Sequence, residues 1–367
     1  MKQHAGLFIF IFLSACRTIT PPTSLPTPHA VIETMTPVPT ETPTQTPSIP
    51  STVPGLIHPY TIQGLREHAF QSGVITVLST LYAGEEYARY LISYPSDGLT
   101  ITGIMQIPAG AGPFPVILMN HGYADRSTYV SGDGSDRAAE FLVRRGYITL
   151  ASDYRSWGGS EVGPSLFHTG LVVDVINLMN AIPSIPQADP ARIGMWGHSM
   201  GGGITTKILT IDPRVKAAVL YAPNSADDSD LIARWGYGCI GVIPAIDPLE
   251  SCNAAEVIPP DLPADLTAAY QTAAGDPAAL QQIAPIHFLD QVTAPVQIHI
   301  GTSDGDTIGS TPPEWSYKLN QALLDAGKPV ELFQYEGERH SFIGDQWLLF
   351  MNRAVVFFDE NLKTVSP

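Results

Sequence analysis

Apolar runs separated by polar turns recur along most of the chain and predict alternating strands and helices. Continuously apolar runs, typical of strands buried on both faces, occupy residues 115–120, 147–152, 192–196, 216–221 and 295–300, and residues 330–335 are also strand-like. Helical patterns occupy residues 136–145, 166–182, 201–209, 314–324 and 347–362. This alternation predicts a mostly parallel sheet covered on both faces by helices, with right-handed crossovers.

Two departures from this rhythm shape the predicted domain. Residues 87–94 and 99–107 are joined by the turn Pro95-Ser96-Asp97-Gly98, which predicts an antiparallel hairpin at one edge of the sheet. Residues 224–287 interrupt the strand–helix order, so we expect an insertion that forms a cap over the carboxyl edge of the sheet. Its Trp235 and Tyr237 are expected either to line a pocket or to pack the cap onto the body.

The N-terminal 54 residues have no pattern that could form a core. Residues 1–16 carry one lysine and then a short apolar run, which predicts a signal peptide; the ending Leu13-Ser14-Ala15-Cys16 resembles a bacterial lipobox. Cys16 is therefore a candidate for lipidation, with an ordinary secretory signal as the alternative. Residues 17–54 are rich in Thr and Pro and predict an extended tether. The folded domain is expected to span residues 55–367, anchored outside the cytoplasm on a bacterial membrane or secreted.

Composition narrows the possible partners. The 367 residues are 44% hydrophobic and carry a formal net charge of −16, which argues against nucleic acid and against a basic membrane-binding patch. Membrane contact is therefore expected only through a lipid anchor. Besides Cys16, the cysteines are Cys239 and Cys252, which form a candidate disulfide or remain two thiols. No spacing typical of a metal site is present, and we expect neither metal nor organic cofactor.

The segment Gly197-His198-Ser199-Met200-Gly201 joins a predicted strand to a predicted helix. A G-x-S-x-G pattern in this context is typical of a nucleophile elbow, a tight turn that lifts a serine hydroxyl clear of the sheet. The flanking glycines are needed because a Cβ at either position would clash in so tight a turn. Ser199 is therefore the candidate nucleophile.

A serine nucleophile needs a base and an acid, and after an elbow of this kind they follow in the order acid, then histidine, each after a strand. His340 follows the last predicted strand and is the expected base. Of the other later histidines, His299 is expected to pack within a strand, and His287 belongs to the cap region. Asp304 is the preferred acid over Asp306, since it follows residues 295–300 in the pattern G-x-x-D.

An oxyanion intermediate needs two backbone N–H donors. One is expected from Met200, directly after the nucleophile at the start of its helix. The second is expected from Tyr123, in the loop that follows residues 115–120.

The order of these elements predicts an α/β-hydrolase fold with a cap insertion between the later strands. The stretches RRGYITLASDYRSWGGSE, ADPARIGMWGHSMGGGIT, GTSDGD and RHSF resemble the catalytic domain of the prolyl oligopeptidase (S9) family and the related dienelactone-hydrolase-like and acetyl-esterase groups. The resemblance spans residues 87–362 and implies that Ser199, Asp304 and His340 form a catalytic triad. We expect two departures from the S9 pattern: no propeller domain before the hydrolase, and a different oxyanion loop, His121-Gly122-Tyr123-Ala124.

These departures favour a serine hydrolase acting on small carboxylic esters. An S9-type peptidase using the same chemistry on an amide is the first alternative. A surface lipoprotein that uses the fold only for binding is the second. The sequence does not specify the acyl or alcohol group or an oligomeric state.

Overall fold

A computed structural model describes residues 55–240, 253–258 and 262–363. The predictions for residues 1–16 and 17–54, including lipidation of Cys16, lie outside the described residues. So does the predicted pairing of Cys239 with Cys252, because neither side chain is described.

Eleven strands are described, and nine of them form one mixed sheet in the order β1-β2-β3-β5-β4-β6-β7-β10-β11. The strands are β1 (Thr76–Ala83), β2 (Tyr87–Ser96), β3 (Leu99–Pro108), β4 (Phe114–Asn120), β5 (Ile148–Ser152), β6 (Ala188–His198), β7 (Val215–Tyr221), β8 (Gly238–Ile240), β9 (Asn253–Ile258), β10 (Val296–Gly301) and β11 (Val330–Tyr335). From β5 to β11 the neighbouring strands are parallel, whereas β1, β2 and β3 are antiparallel. The parallel sheet is as predicted, because its strands carry unbroken apolar runs.

Helices lie on both faces of this sheet. The α-helices are α1 (Ile62–Glu67), α2 (Asp136–Val143), α3 (Thr169–Ala181), α4 (Met200–Leu209), α5 (Asp228–Trp235), α6 (Ala264–Ala274), α7 (Pro277–Ile283), α8 (Pro313–Asp325) and α9 (Gly344–Phe358). Short 3₁₀ turns adjoin several of them, including Leu166–His168 before α3. Successive side chains of each strand point to opposite faces of the sheet. In β4, Val116 and Leu118 pack with α3, α4 and α8 on one face. Ile117 and Met119 pack with α2 and α9 on the other.

Helix α3 and its flanking turns form one long apolar segment of the described chain. Leu166–Ser184 is long and apolar enough to cross a membrane, but 89% of it is buried inside the fold. The segment is therefore a core helix, as its all-round apolar pattern predicts.

The first strand changes one expectation. The hairpin β2–β3 was predicted at the edge of the sheet, but β1 pairs with the outer side of β2 and forms the edge itself. All eight residues of β1 are exposed, and its pairing with β2 is shifted between Val77 and Ser79 and again between Thr80 and Tyr82. An exposed strand lacks the alternation of buried and exposed positions that would have identified it.

The predicted insertion lies between β7 and β10 and contributes α5, α6, α7 and the small parallel pair β8–β9. Its helices α6 and α7 form a separate apolar cluster with Ile57, Leu166 and Phe167. The insertion is thus packed onto the N-terminal residues of the domain and onto the loop that precedes α3.

Candidate active site

Ser199 lies between the end of β6 and the start of α4, in a backbone conformation that L-residues rarely adopt (φ 55°, ψ −122°). Neighbouring chain leaves no room for a side chain on either flank. A Cβ on Gly197 would lie 2.4 Å from the carbonyl oxygen of Gly201, and one on Gly201 would lie 2.0 Å from that of Asn120. This is the strained strand-to-helix turn that the G-x-S-x-G pattern predicts.

His340 and Asp304 follow β11 and β10, and their side chains meet. His340 Nδ1 lies 2.9 Å from Asp304 Oδ2. Because a carboxylate can only accept, the imidazole carries a hydrogen on Nδ1 and donates a hydrogen bond to Asp304. Asp304 is buried and also accepts from Thr311 Oγ1 at 3.0 Å and from the N–H of Gly305 at 2.7 Å. Asp306, by contrast, forms an exposed ion pair with Arg339 at 3.2 Å. The two aspartates point in different directions, and Asp304 is the one against the imidazole.

His198, which precedes Ser199, connects the elbow to the His340 loop. Its Nε2 donates to the carbonyl oxygen of His340 at 3.0 Å, and the two rings are 4.7 Å apart. Burial lowers the pKa of His198 to about 3, so it is a neutral donor at physiological pH. Within the described residues the Ser199 hydroxyl makes no side-chain hydrogen bond. In enzymes without bound substrate, the hydrogen bond between a nucleophile and its base is often long and shortens only when the substrate complex forms.

The loop predicted to supply the second oxyanion donor packs directly against the elbow. A Cβ on Gly122 would lie 3.0 Å from the Cβ of Ser199, so Tyr123 begins beside the serine. The preceding His121 is buried and stacks on Tyr154, with ring centroids 4.3 Å apart. Met200 is the first residue of α4, and the first N–H groups of a helix have no partner within it.

Several other residues considered from the sequence lie outside this constellation. His299 is fully buried in β10 between Gln297 and Tyr335, as expected. His287 is exposed. Trp235 packs edge-on against Trp315, and Tyr237 is 45% exposed.

A second polar group, which the sequence did not reveal, lies on the cap side of α4. Lys207, Asp228, His168 and Glu256 are all buried, and they come from α4, α5, the turn before α3 and β9. We refer to these four side chains as the cap-side cluster. The only sequence signal was a lysine within the otherwise uncharged run of α4.

The charges of the cap-side cluster are strongly affected by burial. Burial, with help from Lys207, lowers the pKa of His168 to about 3, so His168 is neutral and its 3.7 Å approach to Glu256 is not an ion pair. Burial raises the pKa of Glu256 to about 7, and Tyr270 donates to it at 2.7 Å. Among the described residues, no group of three or more His, Cys, Asp or Glu side chains is arranged to hold a metal ion.

Comparison with known proteins agrees with this architecture. Residues 111–246, which include the elbow, match the family model described as serine aminopeptidase, S33. Esterase FrsA of Shigella boydii is 28% identical over 127 residues, a match that covers 34% of this chain and 29% of the esterase. The chain therefore aligns with less than a third of that relative.

Solved structures share the fold at low sequence identity. The acetyl xylan esterase from Paenibacillus sp. R4 is 17% identical, with a TM-score of 0.56 over 81% of this chain and 92% of the esterase. A puromycin-hydrolysing peptidase from Mycobacterium tuberculosis is 21% identical, with a TM-score of 0.54 over 79% of this chain and 39% of the peptidase. With its sheet order, elbow and structural neighbours, the chain has the α/β-hydrolase fold.

Proposed function

We propose that this chain is a serine hydrolase that cleaves carboxylic esters through an acyl-enzyme on Ser199. The observation that carries the proposal is the 2.9 Å contact between His340 Nδ1 and Asp304, on a loop held against the strained elbow by His198. Because Nδ1 is committed to Asp304, Nε2 is the nitrogen left to take a proton. A neutral imidazole in this tautomer is what a general base requires.

The reaction proceeds in two steps. Ser199 Oγ attacks the ester carbonyl carbon while its proton moves to His340 Nε2, and the resulting oxyanion accepts from the N–H groups of Met200 and Tyr123. The C–O bond to the alcohol then breaks, and the alcohol leaves with the proton from His340. Water attacks the acyl-enzyme by the same route, with His340 again as base, and releases the acid and free Ser199.

Asp304 has an electrostatic role in this scheme. During each step His340 becomes positively charged, and the buried carboxylate stabilises that charge while fixing the ring orientation. Thr311 and the Gly305 N–H hold the carboxylate in place.

Two observations lead us to propose esters rather than peptides as substrates. The aligned relative is an esterase, and the oxyanion loop departs from the S9 pattern. A peptidase remains the second candidate, favoured by the family match at residues 111–246. The two are separated by comparing p-nitrophenyl acetate with a proline-containing aminoacyl anilide. Faster turnover of the anilide, with negligible ester cleavage, would reverse the order.

The nucleophile is tested by labelling with a fluorophosphonate probe. We expect the probe to attach to Ser199, and Ser199→Ala to lose both the label and at least about 10⁴-fold in ester turnover. Ser79→Ala, on the exposed strand β1, is the matched control and should keep both. Labelling elsewhere, or an active Ser199→Ala variant, would exclude Ser199 as the nucleophile. A wild-type chain that neither labels nor cleaves esters would favour a binding protein.

We also propose that the enzyme is held outside the cytoplasm by a lipid on Cys16. Support comes from the short apolar run before it and the lipobox-like sequence Leu13-Ser14-Ala15-Cys16. The full chain should sediment with bacterial membranes and Cys16→Ser should not. Equal distribution of the two chains would contradict the anchor.

A further inference from the structure

A small cavity with both polar and apolar walls lies on the cap side of α4. Its walls include Met200, which directly follows Ser199, together with Asn224, His168, Lys207 and Asp228. The backbone ties it to the elbow, since the N–H of Asn224 donates to the carbonyl oxygen of Ser199 at 2.8 Å. A group bound here would therefore lie against the residue that directly follows the proposed nucleophile.

Two side chains that line the cavity have buried polar atoms without a partner. His168 Nε2 and Asn224 Oδ1 make no hydrogen bond, although both residues are more than nine-tenths buried. An unsatisfied buried polar atom typically costs about 1–3 kcal/mol. In this cavity the two atoms are available to a bound water molecule or to a polar group of a ligand.

The backbone that presents His168 is strained as well. Both Phe167 and His168 have positive φ, at 54° and 58°. Non-glycine residues in this region are unfavourable and cluster at functional sites. Lys207 fixes this turn, because its Nζ donates to the carbonyl oxygen of Phe167 at 2.8 Å.

The charges around the cavity favour a neutral ligand group. Lys207 Nζ lies 3.6 Å from Asp228 Oδ1, so the two opposite charges offset each other across one wall. A carboxylate would be repelled by Asp228 and an ammonium by Lys207. A neutral group that both donates and accepts can give a hydrogen bond to Asn224 Oδ1 and receive one from Lys207.

Size restricts the group further. The cavity has room for one group about as large as a water molecule. An amide or a sugar ring does not fit, whereas a single hydroxyl does.

We propose that this cavity is the subsite for one hydroxyl group of the substrate, so that the enzyme acts on hydroxylated esters. The inference rests on the proposed ester hydrolysis at Ser199. The hydroxyl belongs either to the alcohol part, as in a glycerol or sugar ester, or to the acyl part, as in a hydroxy acid ester. The subsite is the same in both cases.

Paired substrates that differ in hydroxyl groups test the proposal. The acyl pair is p-nitrophenyl 3-hydroxybutyrate against p-nitrophenyl butyrate, and the alcohol pair is glycerol monoacetate against propyl acetate. We expect the hydroxylated member of one pair to have kcat/KM higher by about 10-fold or more, because it satisfies buried groups that its partner leaves unpaired. The pair that responds identifies the source of the hydroxyl, and ratios near one in both pairs would overturn the proposal.

Two substitutions within the cavity should abolish the preference. Asn224→Leu removes the acceptor at nearly constant volume, and Lys207→Met removes the donor; in each the ratio should fall towards one. Lys318→Met is the matched control, since it removes an exposed lysine that pairs with Asp227 and Asp230 of the same insertion. It should keep the ratio. If a folded Asn224→Leu variant keeps the wild-type ratio of kcat/KM between the hydroxylated and the plain ester, the assignment is contradicted, even if Lys207→Met does not fold.

The two proposals fail in different ways. If the wild-type enzyme neither labels with a fluorophosphonate nor cleaves the plain esters, the catalytic assignment is wrong. If it labels and cleaves plain esters without any hydroxyl preference, only the subsite is wrong.

Discussion

Two buried ion pairs on the same face of the sheet differ in their geometry and in what lies beside them. Arg155 and Asp174 form a bidentate pair with contacts of 2.8 and 3.0 Å, and Ser96 and the Arg155 N–H also donate to the carboxylate. Lys207 and Asp228 are 3.6 Å apart, beside the unpartnered polar atom of His168. The first pair satisfies itself and ties the loop after β5 to α3. The second lines a small cavity together with His168 and Asn224, whose side chains each carry an unpartnered polar atom.

The comparison suggests a rule for this fold. If the proposed subsite is correct, the pair whose partners all come from its own chain serves structure, and the pair beside the cavity serves a ligand. Asp304 qualifies the rule, because it is saturated by three donors and yet is proposed to act in catalysis. Its partner His340 changes charge during turnover, which neither Arg155 nor Asp174 does.

The largest expected effect is therefore at Asp304. Asp304→Asn keeps the shape of the side chain but has no negative charge to stabilise the imidazolium. If its NH2 group replaces Oδ2, it donates to His340 Nδ1 and favours the tautomer that carries the hydrogen on Nε2. We expect kcat on p-nitrophenyl acetate to fall by about 10⁴-fold, with little change in thermal stability. Asp306→Asn is the control at the exposed aspartate and should retain activity. A loss below about 10-fold at Asp304 would remove it from the proposed triad.

The next effect is on stability, at the saturated pair. Arg155→Met leaves Asp174 buried without its partner. We expect the free energy of unfolding, measured in urea, to fall by about 3–5 kcal/mol. The hydroxyl preference of the folded enzyme should not change, since Arg155 does not line the cavity. A shift in that preference would erase the distinction between the two pairs. A loss under about 1 kcal/mol would show that the first pair is not a structural tie.

The smallest effect concerns Glu256, whose pKa burial raises from 4.5 to about 7. An acid with a raised folded-state pKa contributes stability below its unfolded pKa and loses that contribution as pH rises through the folded value. Wild-type stability should therefore fall between pH 4.5 and 7, relative to Glu256→Gln, by up to about 3 kcal/mol.

Thermal melts of both proteins across this pH range measure the difference. Glu331→Gln, at an exposed position of β11, is the control and should follow the wild type. Parallel curves for wild type and Glu256→Gln would mean that Glu256 ionises freely and that the cap-side cluster is solvated.

Much of the architecture could be predicted because local patterns determine it. The buried parallel strands are unbroken apolar runs, and the elbow is defined by five adjacent residues whose glycines are required sterically. The chain order of acid and histidine followed from the strands that precede them. The meeting of Asp304 with His340 then depends only on β10 and β11 being neighbours.

The remainder depends on contacts that no local pattern encodes. Strand β1 was missed because all of its residues are exposed. The cap-side cluster was missed because Lys207, His168 and Glu256 are distant in sequence and meet only when the insertion folds back over α4. Thr311, which donates to Asp304, was missed for the same reason.

The two irregularities in β1 have a consequence for association between copies. A straight border strand offers evenly spaced N–H and C=O groups on which a foreign strand could continue the ladder. The shifts after Val77 and Thr80 disturb that spacing, so an incoming chain could match only short stretches of it. The sheet thereby limits its own extension at this side, despite the apolar side chains exposed along the strand.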